Sequence, residues 1–140
     1  MVTNESDTSE KVVLVKDQSD VVAARQAGRD MARNADFGTA DQTRFATAIS
    51  ELTRNALIYA GEGVCSIEDL SDREWMKVRA VVEDQGPGIP DLEKALSDGF
   101  STGGSLGAGL PGSKRLVQEF EIESKPGSTI VTIEIVRRKL

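Results

Sequence analysis

Apolar residues recur at helical spacing over two long stretches, and no other feature constrains the fold as much. The first stretch predicts a helix from Val21 to about Ala35, with Asp20 as its N-cap. The second predicts a helix that runs to about Ala60 and ends with Gly61 as a left-handed C-cap. Two residues are candidates for its N-cap: Thr39 and Asp41. Each helix has one stripe of apolar or small residues, so we expect the two to pack in one layer. The stripes are Val21, Ala24, Ala27, Gly28 and Met31 on the first helix and Phe45, Ala48, Ile49, Leu52, Ala56 and Tyr59 on the second.

Alternating or continuous apolar residues predict five short strands. They are Val12–Val15, Val64–Leu70, Lys77–Glu83, Glu121–Ser124 and Thr129–Val136. The segment SDREW and the segment Lys125–Ser128 read as tight turns, while Asp91–Leu96 and Leu110 to about Glu119 read as short helices around a loop from Asp98 to Gly109. The order β-α-α-β-β-α-loop-α-β-β predicts an α/β (α+β) fold, a two-layer sandwich of a mixed, mostly antiparallel sheet covered by helices on one face.

A chain of 140 residues fits one domain. Residues 1–10 are polar and without a period, which predicts a disordered tail before a single domain at 11–140. The 17 basic residues are scattered among 23 acidic ones, so we expect no nucleic acid partner. No apolar run is long enough for a membrane span and the start lacks a signal-peptide layout, so we expect no membrane and a cytoplasmic location.

The chain has no histidine and one cysteine, Cys65. Mechanisms that use a Ser-His-Asp triad, a Cys-His pair or a histidine-bound zinc ion are therefore excluded. A carboxylate, a lysine or water must carry any proton transfer, and Cys65 is expected to pack within a strand.

Glu51 and Asn55 are four residues apart on the second predicted helix, and thus on one face. A carboxylate can take a proton from a hydroxyl group, and an amide oxygen suits Mg²⁺. Taken alone, the pair is better read as ordinary helix surface, and it counts as evidence only together with the other motifs.

Asp84, Gly86 and Gly88 follow an apolar strand directly. The carboxylate can accept a hydrogen bond from an amino group such as that of adenine, and the glycines allow a ligand to approach the backbone closely. A simple tight turn is the alternative reading.

A glycine-rich segment then precedes a predicted helix: Gly103, Gly104, Ser105, Leu106, Gly107, Ala108 and Gly109. Free backbone amides before a helix suit phosphate oxygens, although a flexible linker has the same composition. The match to G-x-G-x-x-G at 107–112 follows no strand, and no G-K-[ST] occurs, so neither a Rossmann site nor a P-loop is expected.

In this order, and followed by Gly127-Ser128-Thr129, the motifs resemble the N, G1, G2 and G3 boxes of the GHKL ATPase superfamily. The segments AISELTRNALIYAGEG and EDQGPGIPDLEKALSDGFSTGGSLGAGLPGSKRL look like the RsbT-type serine/threonine switch kinases, which are related to the anti-sigma factor kinases. The resemblance covers about residues 12–137.

The resemblance implies ATP and Mg²⁺ as cofactors and a role for each motif. Glu51 would be the catalytic base, Asn55 the Mg²⁺ ligand and Asp84 the adenine contact. Gly86 and Gly88 would line the base pocket, and Gly103–Gly109 would form a lid over ATP. Thr129 would help hold adenine. Two choices stay open: Ser128 or Thr129 as the adenine contact, and Lys114 or Arg115 near phosphate.

The resemblance also implies protein partners: STAS-domain substrates of a stressosome and a PP2C-type phosphatase that the kinase activates. Two alternatives remain, an ATP-gated binding module and an anti-sigma factor kinase that binds a sigma factor and an anti-anti-sigma STAS protein. Whether the protein forms a homodimer is open.

Overall fold

The computed structural model of the protein describes residues 10–89 and 109–140. Its elements are β1 (Glu10–Val15), α1 (Gln18–Asn34), α2 (Thr39–Ala60), β2 (Gly63–Asp69), β3 (Trp75–Asp84), α3 (Gly109–Leu116), β4 (Glu119–Lys125) and β5 (Ser128–Arg138). Three predictions lie wholly or largely outside these residues: the tail up to residue 9, the helix at 91–96 and the loop at 98–108. Glu10, predicted as the last tail residue, is already part of β1.

The strands form one sheet in the order β1-β2-β3-β5-β4. Each neighbouring pair is antiparallel. The predicted two-layer α+β fold is confirmed, but the sheet is not mixed in the described part of the chain. Tight turns join β2 to β3 and β4 to β5, and a chain reversal of this kind produces antiparallel neighbours.

The core lies between one face of the sheet and the helices. Alternate residues of β3 and β5 point into it, including Val78, Ala80, Ile133 and Ile135. α1 and α2 pack closely where Gly28 faces Ile49, since a Cβ at Gly28 would lie 2.3 Å from Ile49 Cδ1. The predicted stripes are confirmed for most members, namely Val21, Ala24, Gly28, Met31, Phe45, Ala48, Ile49, Leu52 and Ala56. Tyr59, predicted as a stripe member, is instead exposed at the end of α2.

The prediction that Asp20 caps α1 is wrong. Asp17 is the N-cap, and its Oδ1 accepts a hydrogen bond from the Asp20 amide at 3.2 Å. The Asp20 side chain reaches back to the Asp17 amide at 3.3 Å. The two acids form a reciprocal capping box, so the helix begins three residues earlier than predicted.

The predicted N-caps of α2 are also wrong. Gly38 occupies the N-cap position without a side-chain bond. Asp41 is buried and accepts hydrogen bonds from Arg137 at 2.8 and 3.0 Å. Its carboxylate therefore joins the start of α2 to the end of β5 instead of capping the helix.

The other predicted ends are mostly confirmed. Gly61 ends α2 with φ +85°, and Gly127 has φ +93° in the turn between β4 and β5. In the SDREW turn, Asp72 Oδ1 accepts hydrogen bonds from the amides of Glu74 and Trp75. Glu119, predicted as the last residue of a helix, instead begins β4. No helix among residues 10–89 and 109–140 has the length and apolar character of a membrane span.

Candidate nucleotide-binding site

Asp84 is the last residue of β3 and is partly buried. Its Oδ1 accepts a hydrogen bond from the Gly86 amide at 2.9 Å. Burial raises the pKa of this carboxyl, and the bond from Gly86 opposes only part of that rise. No salt bridge joins Asp84 to another residue within the two described ranges. A carboxylate in this environment can accept a hydrogen bond from an amino group of a ligand.

The loop that follows is held between α2 and the β4–β5 hairpin. A Cβ at Gly86 would lie 2.8 Å from Ala60 Cβ, at the end of α2. Gly88 has φ +84°, and a Cβ there would lie 2.6 Å from the Lys125 carbonyl oxygen. The Gly127 amide donates to the Gly86 carbonyl at 2.8 Å. Both glycines are therefore needed for the close approach of α2 and of the hairpin to this loop, and the close approach of a ligand to them stays a prediction.

Thr129 is directly opposite Asp84 in the pairing of β3 with β5 and is 7% exposed. Ser128 pairs with Lys125. Because neighbouring residues of a strand point to opposite faces of the sheet, Ser128 faces away from Asp84. Of the two hydroxyls that the sequence left open, only that of Thr129 shares a face of the sheet with the Asp84 carboxylate. The hydroxyl assignment itself stays a prediction until a nucleotide contact is measured.

Glu51 and Asn55 are partly buried on α2, next to the core residues Leu52 and Ala56. Asn55 and Glu51 precede Ala60 by about 7.5 and about 13.5 Å along the helix axis. Because Ala60 packs on Gly86, α2 brings the pair toward the end of the sheet that holds Asp84. Arg54 forms a short, hydrogen-bonded ion pair with Glu51.

Most of the predicted phosphate loop, residues 103–108, lies outside the described residues. Gly109 is the first residue of α3, which packs against α2. Lys114 and Arg115 are both exposed on α3. Their part in holding phosphate stays a prediction.

The donor set fits Mg²⁺ that arrives with a nucleotide. In the described ranges, no three or more His, Cys, Asp or Glu side chains gather as a metal site. Mg²⁺ commonly uses one or two protein oxygens and completes its shell with phosphates and water. The Asn55 amide oxygen can supply such a ligand.

The sequence analysis missed Ser124 and Arg54. Ser124 Oγ accepts from the Ile89 amide at 2.8 Å and lies 2.8 Å from Thr129 Oγ1. For Ser124, the available signal was the alternation of strand residues, because every second residue of β4 lies on the core-facing side and Ser124 continues the series Phe120, Ile122. For Arg54, the signal was its spacing of three residues from Glu51 on a helix.

A cavity of about 280 Å³ lies beside the same hairpin, lined by Glu123, Ser124, Lys125, Ser128 and Ile130. Neither Asp84 nor Thr129 lines it, and most of its lining residues lie on the opposite face of the sheet. We therefore do not assign it as the base pocket.

Comparisons with known proteins give a family and several relatives. Residues 40–139 match the family model described as histidine kinase-, DNA gyrase B-, and HSP90-like ATPase. The serine/threonine-protein kinase RsbT of Bacillus subtilis is 54% identical over 115 residues, which cover 82% of this chain and 86% of the relative. The anti-sigma F factor of Caldanaerobacter subterraneus is 34% identical over 87 residues, 58% of this chain and 59% of that protein.

Solved structures show the same fold. The catalytic domain of the histidine kinase ThkA has a TM-score of 0.57 at 20% identity, with 90% of this chain and 97% of that chain covered. The mycobacterial sensor histidine kinase MprB has a TM-score of 0.54 at 18% identity, with 94% and 99% covered. At these identities the similarity shows the fold alone.

Proposed function

The chain belongs to the family of histidine kinase-, DNA gyrase B-, and HSP90-like ATPases, and from this premise we propose the function that its site supports best. The protein is a serine/threonine protein kinase that acts in partner switching. The observation that carries this function is the 54% identity to a serine/threonine kinase over 82% of the chain. The resemblance to switch kinases is thereby confirmed.

In the proposal, ATP binds at the end of the sheet where Asp84 and Thr129 face each other. Asp84 accepts a hydrogen bond from the adenine amino group, and Thr129 contacts the same ring. Gly86 and Gly88 line the pocket, and a side chain at either position would push the loop away from Ala60 or from the hairpin backbone. The segment Gly103–Gly109 covers the phosphates.

Glu51 is proposed as the base. It takes the proton of the acceptor serine or threonine hydroxyl as that oxygen attacks the γ-phosphorus and ADP leaves. Arg54 holds one carboxylate oxygen of Glu51, which leaves the other free for the proton. Asn55 would hold Mg²⁺, which neutralises phosphate charge when bound.

We propose STAS-domain proteins of a stressosome as substrates and a PP2C-type phosphatase as the partner that the released kinase activates. A cytoplasmic location belongs to the same proposal. A second candidate is an anti-sigma factor kinase, which the 34% identity to an anti-sigma F factor favours. A homodimer is compatible with either function.

The test uses Glu51→Gln, which removes the base and keeps the shape of the side chain. We expect phosphate transfer from labelled ATP to a STAS-domain partner to fall by at least about 100-fold, while ATP affinity measured by calorimetry stays within about threefold. The matched control is Glu74→Gln, an exposed glutamate in the turn at the other end of the sheet. Mass spectrometry locates the phosphosite.

Unchanged transfer by Glu51→Gln would show that the base assignment is wrong. If the wild-type protein binds the partner only with ATP and leaves it unphosphorylated, the protein is a nucleotide-gated binding module. Binding of a sigma factor instead of a PP2C-type phosphatase would favour the second candidate.

A further inference from the structure

We propose that Ser124 is a positioning residue that fixes the direction of the Thr129 hydroxyl and thereby favours adenine over 6-oxopurines such as hypoxanthine. The inference rests on the proposed function, because it requires a purine beside Asp84 and Thr129. Ser124 lies on β4, outside the four motifs that the sequence analysis identified.

The first step is the hydrogen-bond accounting of Ser124. A serine hydroxyl has one hydrogen to donate and two lone pairs that accept. Ser124 Oγ already accepts from the Ile89 amide at 2.8 Å. It also forms a hydrogen bond with Thr129 Oγ1 at 2.8 Å, and either oxygen can be the donor of that bond.

The second step concerns the direction of that bond. In either direction one hydroxyl hydrogen is left over: that of Ser124 if Thr129 donates, and that of Thr129 if Ser124 donates. A ligand that presents an acceptor to Thr129 pairs the hydrogen left over when Ser124 donates. The chain of hydrogen bonds from the Ile89 amide through Ser124 and Thr129 to that acceptor then leaves no hydrogen unpaired, whereas a ligand that donates to Thr129 leaves the Ser124 hydrogen without a partner in this chain.

The third step follows for Thr129. When its oxygen accepts from Ser124, its own hydrogen can be donated to a ligand on the face shared with Asp84. The site then offers one acceptor, the Asp84 carboxylate, beside one donor, the Thr129 hydroxyl. Adenine carries the complementary pair, an amino donor at C6 and an acceptor at N1. A 6-oxopurine carries the reverse, an oxygen at C6 and a hydrogen on N1.

The same contacts give Ser124 a structural role that the test must separate. Its bond to Ile89 ties the loop after Asp84 to the hairpin. A purely structural loss would weaken binding of every purine nucleotide by one factor. A loss of hydroxyl direction changes the ratio between ATP and ITP, which differ only in the base.

The experiment measures dissociation constants for Mg-ATP and Mg-ITP by calorimetry on the wild type, Ser124→Ala, Thr129→Val and the double variant. We expect Ser124→Ala to weaken ATP binding about tenfold and ITP binding much less, so that the preference for ATP falls about three- to tenfold. In the Thr129→Val background, Ser124→Ala should leave the preference unchanged. Ser124→Thr, which keeps the hydroxyl, should restore it.

Ser66→Ala is the matched control, a half-buried strand serine that faces the other side of the sheet. Thermal unfolding of each variant verifies that it is folded. An ATP preference that survives in Ser124→Ala, or that falls equally in the Thr129→Val background, overturns the inference while the proposed kinase stands. If the folded wild-type protein binds neither nucleotide, both the role of Ser124 and the proposed kinase function are overturned.

Discussion

Asp41 and Asp84 are carboxylates at opposite ends of one sheet, and their surroundings differ. Asp41 meets Arg137 in two hydrogen bonds, and Arg44 lies 3.3 Å away. The hydrogen bond from Arg137 is the main reason that the pKa of Asp41 is lowered. Asp84 accepts one amide bond, and burial raises its pKa. In the turn between β2 and β3, the exposed Asp72 also has a lowered pKa, because two amides donate to it.

The difference is the one expected between a carboxylate that stabilises the fold and a carboxylate that binds a ligand. At one end of the sheet, Asp41 is compensated by Arg137 and Arg44, and in the middle of the sheet Glu134 is compensated by Arg79 at 2.6 Å. At the Asp84 end, one carboxylate is kept partly buried with spare acceptor capacity. Such a group disfavours folding at neutral pH, and proteins retain groups of this kind where a ligand uses them.

The largest expected effect is that of Gly88→Ala at the site. Alanine at φ +84° is strained, and its Cβ would lie 2.6 Å from a backbone oxygen of the hairpin. The loop and hairpin must separate, so we expect ATP affinity to fall by about 100-fold or more, as measured by calorimetry. Gly61→Ala is the control, with φ +85° and no atom within 4 Å of the new Cβ.

Gly61→Ala shares the backbone strain but not the clash. It should lower the melting temperature while ATP affinity stays within about twofold. Equal losses of affinity in both variants would mean that the contact between loop and hairpin does not shape the site.

The next effect is that of Asp84→Asn. The amide oxygen can keep the bond from Gly86 but accepts an amino hydrogen less strongly than a carboxylate does. We expect ATP affinity to fall about 30-fold and the melting temperature at pH 7 to stay equal or rise. A clear drop in melting temperature would mean that Asp84 stabilises the fold, as Asp41 does.

Local signals predicted only part of the element ends that depend on local contacts, since the cap of α1 was assigned to Asp20 instead of Asp17. Gly61 ends α2 because a left-handed residue is needed there, and the chain itself shows the glycine. Asp41 was misread as a cap because its true partner, Arg137, is 96 residues away. A helix start with an acid in the first turn looks the same whether that acid caps the helix or bonds a distant strand.

The candidate site divides in the same way. Asp84, Gly86 and Gly88 are readable because the acid and both glycines follow one strand within five residues. Alternation in β4 indicates the face of the sheet on which Ser124 lies, but not its partners, since these depend on Ile89, 35 residues earlier, and on the register of β4 with β5. Register is a tertiary property that a single serine in an alternating strand does not reveal.

A third effect falls on stability alone and concerns Asp41→Asn. The substitution weakens the bonds to Arg137, so we expect the melting temperature at pH 7 to fall by about 3 to 8 °C. ATP affinity should stay within about twofold, because the change lies at the far end of the sheet. Calorimetry and thermal unfolding on one preparation measure both. A large loss of ATP affinity would contradict the division of the molecule into two ends.

The smallest effect is the pH dependence of Asp41→Asn and Asp84→Asn. The change in melting temperature at pH 7 should have opposite signs in the two variants. The pKa of Asp41 is lowered in the folded protein, so its stabilisation is present above its unfolded pKa and is lost as the pH falls through the folded value. The pKa of Asp84 is raised, so its ionisation opposes folding as the pH rises from the unfolded toward the folded value, and this penalty then persists at higher pH. Melting curves from pH 3 to pH 7 measure both effects. The loss of melting temperature in Asp41→Asn should become smaller in acid.

Any rise in the melting temperature of Asp84→Asn, about 1 to 3 °C at pH 7, should vanish in the same acid range. If both differences keep one sign and size across that range, the two carboxylates do not differ in the way their surroundings indicate.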